Sequence, residues 1–335
     1  LHKKVSTFQK DVHFVLKPFM VLLGKGIVTS EGAAWRRQRT YLSSALRIDI
    51  LEVIPKMAVD AVHRLCKKLD AAKATGECIE MAEEFRHLTL QVISEAVLSI
   101  SAEESDKTFA KMYLPIVEEA NIRVWKPQRM YIPTPAWFKF NADVRRLNDY
   151  VSGIIVTRWE LKLKENKHRE DVDGVNREKD LLDKVLEGYT TDTWGEEAIE
   201  QIRDEIKTFI LAGHETSASM MTWALYELVS GKTGDTSTHL DTLTKEAKEV
   251  FREYFVDDMT QPGDILKRCP TREVCDKLNF SDACMRESLR RYSVVPTVVR
   301  VPCEDVDFEG SKDTPALTIP KGTTIMVNIM GVHGI

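Results

Sequence analysis

The sequence predicts a mainly helical protein with a small β region near its C-terminal end. Three observations carry that prediction. One stretch, Thr193 to Gly231, reads as a single very long helix; helix-period segments fill most of residues 33–292; and beyond Tyr292 the prolines at 296, 302, 315 and 320 punctuate short β-rich runs. The 335 residues are 43% hydrophobic, enough to bury a substantial core, and they are read as one domain over residues 1–335, helical to 292 and β-rich over 293–335.

The long helix organises the rest. Thr193 and Glu196 have capping-box spacing, Glu196 and Glu197 suit a helix N-terminus, and Gly231 suits a left-handed C-terminal cap. At 1.5 Å per residue the helix runs about ten turns, roughly 50 Å. Its first half is charged on nearly every turn, whereas from Thr208 to Tyr226 the only ionisable groups before that tyrosine are His214 and Glu215, so the second half is expected to cross the interior. At its centre stands Ala212-Gly213-His214-Glu215-Thr216-Ser217. Glycine inside a helix costs about 1 kcal/mol against alanine, and a buried carboxylate is expensive unless paired or functional. Two arrangements suit the motif: a packing glycine beside a satisfied Glu–Thr pair, or a glycine admitting a flat ligand beside a pair that handles protons. Thr216 can bond back to the Ala212 carbonyl and loosen the helix there.

The other elements follow in order. Residues 1–30 read as a short helix and a loop broken at Gly24 and Gly26. A helix over Ala33–Leu46 places Trp35 and Arg39 four apart on one face, which by itself reads first as a half-buried tryptophan beside a solvated arginine and second as an anion clamp of an indole N–H and a guanidinium. Helix patterns continue over 50–74, 80–100 and 103–125. Residues 126–138 hold three prolines among aromatics and suit a lid, an access channel, a membrane-touching tip or a buried connector. A charged amphipathic helix covers 141–165, a polar solvated loop 164–179, and a short helix 180–187. After the long helix come a helix over 238–256, an irregular segment, and a helix over Asn279–Tyr292 with Glu287 and Arg290 three apart, by itself a surface ion pair. Strand-like runs at Val298–Val301, Val306–Phe308 and Thr323–Ile329 close the chain, with a turn at Ile319–Gly322.

Several functions are excluded. Formal charge of −5 gives no reason to propose nucleic acid, and the six cysteines show neither a C-x-x-C pair nor zinc spacing, which predicts reduced thiols. Gly231-Lys232-Thr233 lacks the upstream glycine of a phosphate loop, and His214-Glu215 lacks the second histidine of a zinc protease because position 218 is alanine. No run reaches the 18 or so apolar residues of a membrane span. The first residue is Leu1 and the last ones are Gly334-Ile335, just after a strand-like run, so the chain reads as a fragment, with a missing N-terminal anchor or targeting signal left open.

Together and in this order, W-R-R-Q-R at 35–39, A-G-H-E-T-S at 212–217, E-S-L-R at 287–290, V-V-P-T-V-V-R at 294–300 and I-P-K-G-T-T-I-M-V-N-I-M-G-V-H at 319–333 resemble a cytochrome P-450, incomplete at both ends. The resemblance implies a haem b cofactor, with Trp35, Arg39 and Arg300 on its propionates and Ala212 and Gly213 flanking its distal face. It also implies Glu215 and Thr216 as the acid–alcohol pair that passes protons, and Glu287 and Arg290 as a buried structural pair with a third, downstream arginine. Val294 to Val299, among them Val295, Thr297 and Val298, would line the substrate pocket with Phe209 and the Phe19–Leu23 loop. The family's cysteine ligand would lie beyond Ile335, so none of the six cysteines is assigned to iron and no metal ligand is assigned in this chain. The implied activity is a monooxygenase inserting one atom of O2 into a lipophilic substrate. Electrons would come from NADPH through a flavin reductase or a ferredoxin, docked near Arg36, Arg37 and Arg47. The T-S-E-G lead into W-R-R-Q-R leans toward fatty acids or carotenoids. The alternatives are a hydroperoxide isomerase or dehydratase, which usually lacks the acid–alcohol pair, and a non-catalytic truncated helical product. Membrane association through a missing anchor, facing the cytosol at the endoplasmic reticulum or in a plastid, is the implied location.

Overall fold

The computed structural model describes residues 7–12, 15–45, 48–167, 179–230, 236–254, 270–310 and 315–333. The expectations for Arg47, Gly231-Lys232-Thr233 and Cys269 lie outside these residues, as does the end of the chain at Gly334-Ile335.

A short strand β1 (Phe8–Lys10) precedes the helices α1 (Lys17–Leu23), α2 (Gly32–Ala45), α3 (Ile48–Thr75) and α4 (Met81–Leu98). After α5 (Ala102–Glu104), one π-turn leads into α6 (Ala110–Trp125), and then come α7 (Pro135–Lys167), α8 (Leu181–Glu187) and α9 (Glu196–Val229). The remainder holds α10 (Thr236–Val250), α11 (Arg272–Cys275), α12 (Asn279–Arg291), β2 (Thr297–Pro302), β3 (Val306–Phe308), β4 (Leu317–Ile319), β5 (Ile325–Asn328) and α13 (Ile329–His333). A mainly helical chain with a small β region is therefore what forms.

The core gathers Leu22, Leu90, Val97, Phe109, Tyr113, Leu147, Ile155, Leu182, Ile206 and Ile210 from α1, α4, the π-turn, α6, α7, α8 and α9. Burying apolar faces from so many helices is the main source of cohesion. Polar ends are satisfied locally: Asp180 forms a reciprocal capping box with Asp183 at α8 and also accepts from Ser99 at 2.6 Å and Arg158 at 2.8 Å. The β region joins residues 8–10 to residues 297–302 and 325–328. β1 pairs antiparallel with β2, Phe8 opposite Pro302 and Lys10 opposite Arg300, and β2 pairs with β5, Thr297 opposite Asn328. A three-residue run gave too little alternation to reveal β1 in the sequence.

The long helix has 34 residues, about 51 Å at the standard rise. Two expectations for it are corrected. Its N-terminal residue is preceded by Gly195, which supplies no side-chain cap, and the Thr193 hydroxyl instead accepts from the Thr190 amide at 2.8 Å inside a preceding turn. Burial is also inverted. Asp204, Glu205 and Lys207 of the charged half are buried, while Ala212, Trp223, Tyr226 and Val229 of the apolar half are exposed. Charge is buried because it is paired: Lys207 donates to Asn148 of α7 at 2.7 Å and lies 3.1 Å from Asp204.

Residues 126–138 form a 3-10 turn (Pro127–Met130) followed by the start of α7, and they expose apolar side chains as expected: Tyr131, Ile132 and Phe138, with Trp125 before them at 86% exposure. Among the described residues no helix is long and apolar enough to cross a membrane. The described cysteines Cys66, Cys78, Cys275, Cys284 and Cys303 are free thiols.

Candidate haem site

Trp35 stands in the first turn of α2 and Arg39 one turn further, on the same face. Among the described residues the exposed Arg39 guanidinium makes no hydrogen bond or ion pair, and the Arg300 guanidinium on β2 donates only to the neighbouring Val299 carbonyl at 2.7 Å. One residue that the sequence did not single out joins them. Lys10 lies opposite Arg300 across the β1–β2 pairing, and its Nζ sits 5.9 Å from the centre of the Trp35 ring. Arg300 and Trp35 thus come together through a strand too short to be read from pattern. The cluster holds an indole N–H and the Arg300 guanidinium, with the Arg39 guanidinium one turn beyond Trp35 on the same face of α2, and among the described residues neither guanidinium forms an ion pair; the donors suit a ligand carrying carboxylates.

On α9 the Thr216 hydroxyl donates to the Ala212 carbonyl one turn back, as its spacing suggests. Ala212 is exposed and Thr216 half-buried, so this face offers a small side chain and a hydroxyl side by side. Gly213 points elsewhere. A Cβ built there would lie 2.7 Å from Cδ1 and 2.8 Å from Cγ1 of Ile93, so the missing side chain lets α9 close against α4 and does not open a slot for a flat ligand. The exposed face belongs to Ala212, its neighbour.

Glu215 and Thr216 are not hydrogen-bonded to each other. Burial pushes the Glu215 carboxyl above its ordinary range, Arg86 of α4 draws it back, and Glu83 opposes that. His214 is wholly buried, its ring edge-on to Tyr113 at 5.8 Å, and neither ring nitrogen nor the Tyr113 hydroxyl has a hydrogen-bond partner. Burial first, then Arg86 and His87, lower the His214 pKa to about 4, so the imidazole is neutral at pH 7.

Glu287 and Arg290 form a two-pronged ion pair, Nε to Oε2 at 2.8 Å and Nη2 to Oε1 at 2.7 Å, yet their side chains are 56% and 49% exposed. The burial implied for this pair is corrected: among the described residues nothing covers it, and Arg290 spends a further donor on the His333 carbonyl at 2.6 Å, tying α12 to α13. Of the pocket residues, Phe209 is half-buried against the core on α9, Val295 is exposed before β2, and Thr297 and Val298 are half-buried in it.

These residues fit a haem in two respects: the indole and guanidinium donors around Lys10, and the small side chain and hydroxyl that Ala212 and Thr216 offer side by side. No cluster of histidine, cysteine or carboxylate side chains able to hold a metal ion occurs among the described residues.

Comparison with known proteins agrees. The chain is 28% identical over 320 residues to "Protein LUTEIN DEFICIENT 5, chloroplastic" of Arabidopsis thaliana, covering 93% of this chain and 49% of that protein. It is 26% identical to "Cytochrome P450 709B1" of the same plant, covering 92% and 54%. The chain thus spans about half the length of the curated relatives it matches. A crystal structure of a cytochrome P450 (CYP102L1) superposes with a TM-score of 0.72 at 20% identity, covering 100% of this chain and 71% of that one, which shows a shared fold. The family model for Cytochrome P450 matches residues 1–334, and the chain belongs to that family.

Proposed function

We propose that the protein containing this chain is a haem-dependent monooxygenase acting on a lipophilic small molecule. The observation that carries this reading is the α9 segment, in which an exposed Ala212 adjoins a Thr216 hydroxyl and the Glu215 carboxyl is held above its usual range, within a chain of the cytochrome P450 family. Haem b, when bound, supplies the iron at which O2 is activated. Trp35, Arg39 and Arg300 hold its carboxylates by charge-assisted hydrogen bonds, with Lys10 fixing the strand and the ring between them. Ala212 would offer the small side chain beside the group, and Gly213 behind it seats α9 on α4. Glu215 would hold a proton at its carboxyl oxygen more readily than an exposed glutamate does, and Thr216, on turning its hydroxyl away from the Ala212 carbonyl, would give up its own hydroxyl proton while a bridging water returns one from Glu215. Arg290, held by Glu287, ties α13 to α12 through the His333 carbonyl. Phe209, Val295, Thr297 and Val298 line the substrate pocket, where apolar contact selects weakly among similar molecules.

Electrons come from NADPH through a flavin reductase or a ferredoxin, and exposed Arg36 and Arg37 on α2 suit an acidic partner. Trp125, Tyr131, Ile132 and Phe138 give the 126–138 loop the character of a membrane-touching tip, in keeping with a protein at the endoplasmic reticulum or in a plastid. A relative named for lutein deficiency agrees with the lean toward carotenoid or fatty-acid substrates.

Thr216→Ala tests the reading. Loss of product by about 10²-fold or more, with O2 consumption diverted to peroxide, is the expected outcome, since a positioned proton donor contributes on that scale. Unchanged turnover would favour a hydroperoxide isomerase.

A further inference from the structure

We infer that Asp204 and Glu205, on the charged half of α9, are positioning residues for the carboxylate clamp. The inference rests on the reading of Trp35, Arg39 and Arg300 as that clamp. Neither carboxylate lies in the acid–alcohol segment, and both are almost wholly buried, 1% and 3% exposed.

One oxygen of each is spent on one loop, while Asp204 Oδ1 meets Arg203 and Lys207. Asp204 Oδ2 accepts the Lys25 amide at 2.9 Å, and Glu205 Oε2 accepts the Ile27 amide at 2.9 Å. The same loop is gripped from two other sides. Lys10 Nζ donates to the carbonyls of Ile27 at 2.9 Å, Val28 at 2.9 Å and Ser30 at 2.8 Å, while Gln38 of α2 donates to the Lys25 carbonyl at 2.9 Å. Gln201, one turn before Glu205, donates to Glu205 Oε1 at 2.8 Å and reaches the Lys25 carbonyl at 3.4 Å. Inside the loop, the Thr29 hydroxyl donates to the Gly24 carbonyl at 2.7 Å. The loop ends where α2 begins, at Gly32, and Trp35 is in the first turn of that helix. A shift at Lys25 or Ile27 therefore reaches the indole and, one turn later, Arg39.

Gly24 makes the grip possible. Its φ of +54° suits glycine, and a Cβ there would stand 1.8 Å from Asp204 Oδ2. Two adjacent buried carboxylates are a costly way to hold a helix if packing is all that is needed. Directional acceptors fix the two amides in orientation as well as distance, which an apolar contact does not. Burial raises the Glu205 pKa to about 7, against the pull of the Ile27 amide, Gln201 and Lys10, a sign of the desolvation that this placement carries.

The test compares haemin with haemin dimethyl ester, which lacks the free carboxylates, binding to the protein expressed from its own gene and followed by Soret absorbance. A clamp makes the wild type prefer the free acid by about tenfold or more. Asp204→Ala and Glu205→Ala are expected to bring that preference close to unity while changing ester affinity by less than about twofold, and Asp204→Asn and Glu205→Gln, which keep an acceptor, to retain it. Gly24→Ala displaces Asp204 without removing a charge and should behave like the alanine variants, so the question stays answerable if one of those does not fold. A wild type with no preference would remove the clamp itself. A wild type with the preference and alanine variants that keep it, or that lose acid and ester affinity equally, would overturn the positioning role alone.

Discussion

The half of α9 from Glu196 to Thr208 carries charge on nearly every turn and sinks Asp204, Glu205 and Lys207 into the interior, whereas the half from Phe209 to Val229 is mostly apolar and leaves Ala212, Trp223, Tyr226 and Val229 exposed. Composition alone predicts the reverse. The difference lies in what each half meets. The charged half faces groups that complete it: the Lys25 and Ile27 amides and Asn148. The apolar half presents, beside Ala212, the face to which a haem is assigned under the proposed function. Burial here follows the partner that each side chain finds.

Breaking the charged half has the largest expected consequence. Lys207→Ala removes the 3.1 Å partner of a buried aspartate and the donor to Asn148, and a loss of about 3–5 kcal/mol in denaturant unfolding is expected. A loss below about 1 kcal/mol would mean that Asp204 is adequately served by Arg203 and the Lys25 amide. At the junction of the halves, Gly213→Ala drives a methyl group into Ile93, costing about 1–3 kcal/mol, and Ile93→Val should return part of it by shortening the side chain that is struck. Additive losses in that cycle would show that the two residues do not meet.

The pH profile sharpens the comparison more gently, because one group from each half acts in opposite directions. The Glu205 pKa is raised from 4.5 to about 7, so its contribution to stability is full below pH 4.5 and is lost as pH climbs toward 7. The His214 pKa is lowered from 6.5 to about 4, so its contribution is full above pH 6.5 and is lost as pH falls toward 4. Around Glu205 stand Lys10, Asp204, Gln201 and Tyr189, and around His214 stand Arg86, His87, Glu215 and Tyr113. Thermal midpoints of the wild type between pH 4.5 and 6.5 should therefore vary less than those of either variant. Glu205→Gln should expose a rise in stability with pH, and His214→Phe a fall. Parallel profiles for all three proteins would contradict both assignments.

What the sequence made legible follows the range of the interactions. The length of α9, the Thr216 back-bond, the exposed 126–138 loop and the E-x-x-R ion pair rest on contacts within a few residues, and the structure has them. The Thr193 cap failed at short range because a competing turn at Thr190 took its hydroxyl. The inverted burial of α9 could not be read, since its partners Lys25 and Ile27 lie 179 and 178 residues away. Lys10 stayed hidden for the same reason: its strand has three residues and pairs with β2 at the far end of the chain. Gly213 was legible as a break in helix propensity, but whether a ligand or Ile93 filled the gap depended on how α4 crosses α9.

Amide hydrogen exchange along α9, measured with and without haemin, tests the central claim most directly. The account predicts added protection concentrated from Leu211 to Ser217 and little change from Ile199 to Lys207, whose side chains are already engaged. Protection spread evenly over the helix, or none near Ala212 and Thr216, would contradict it.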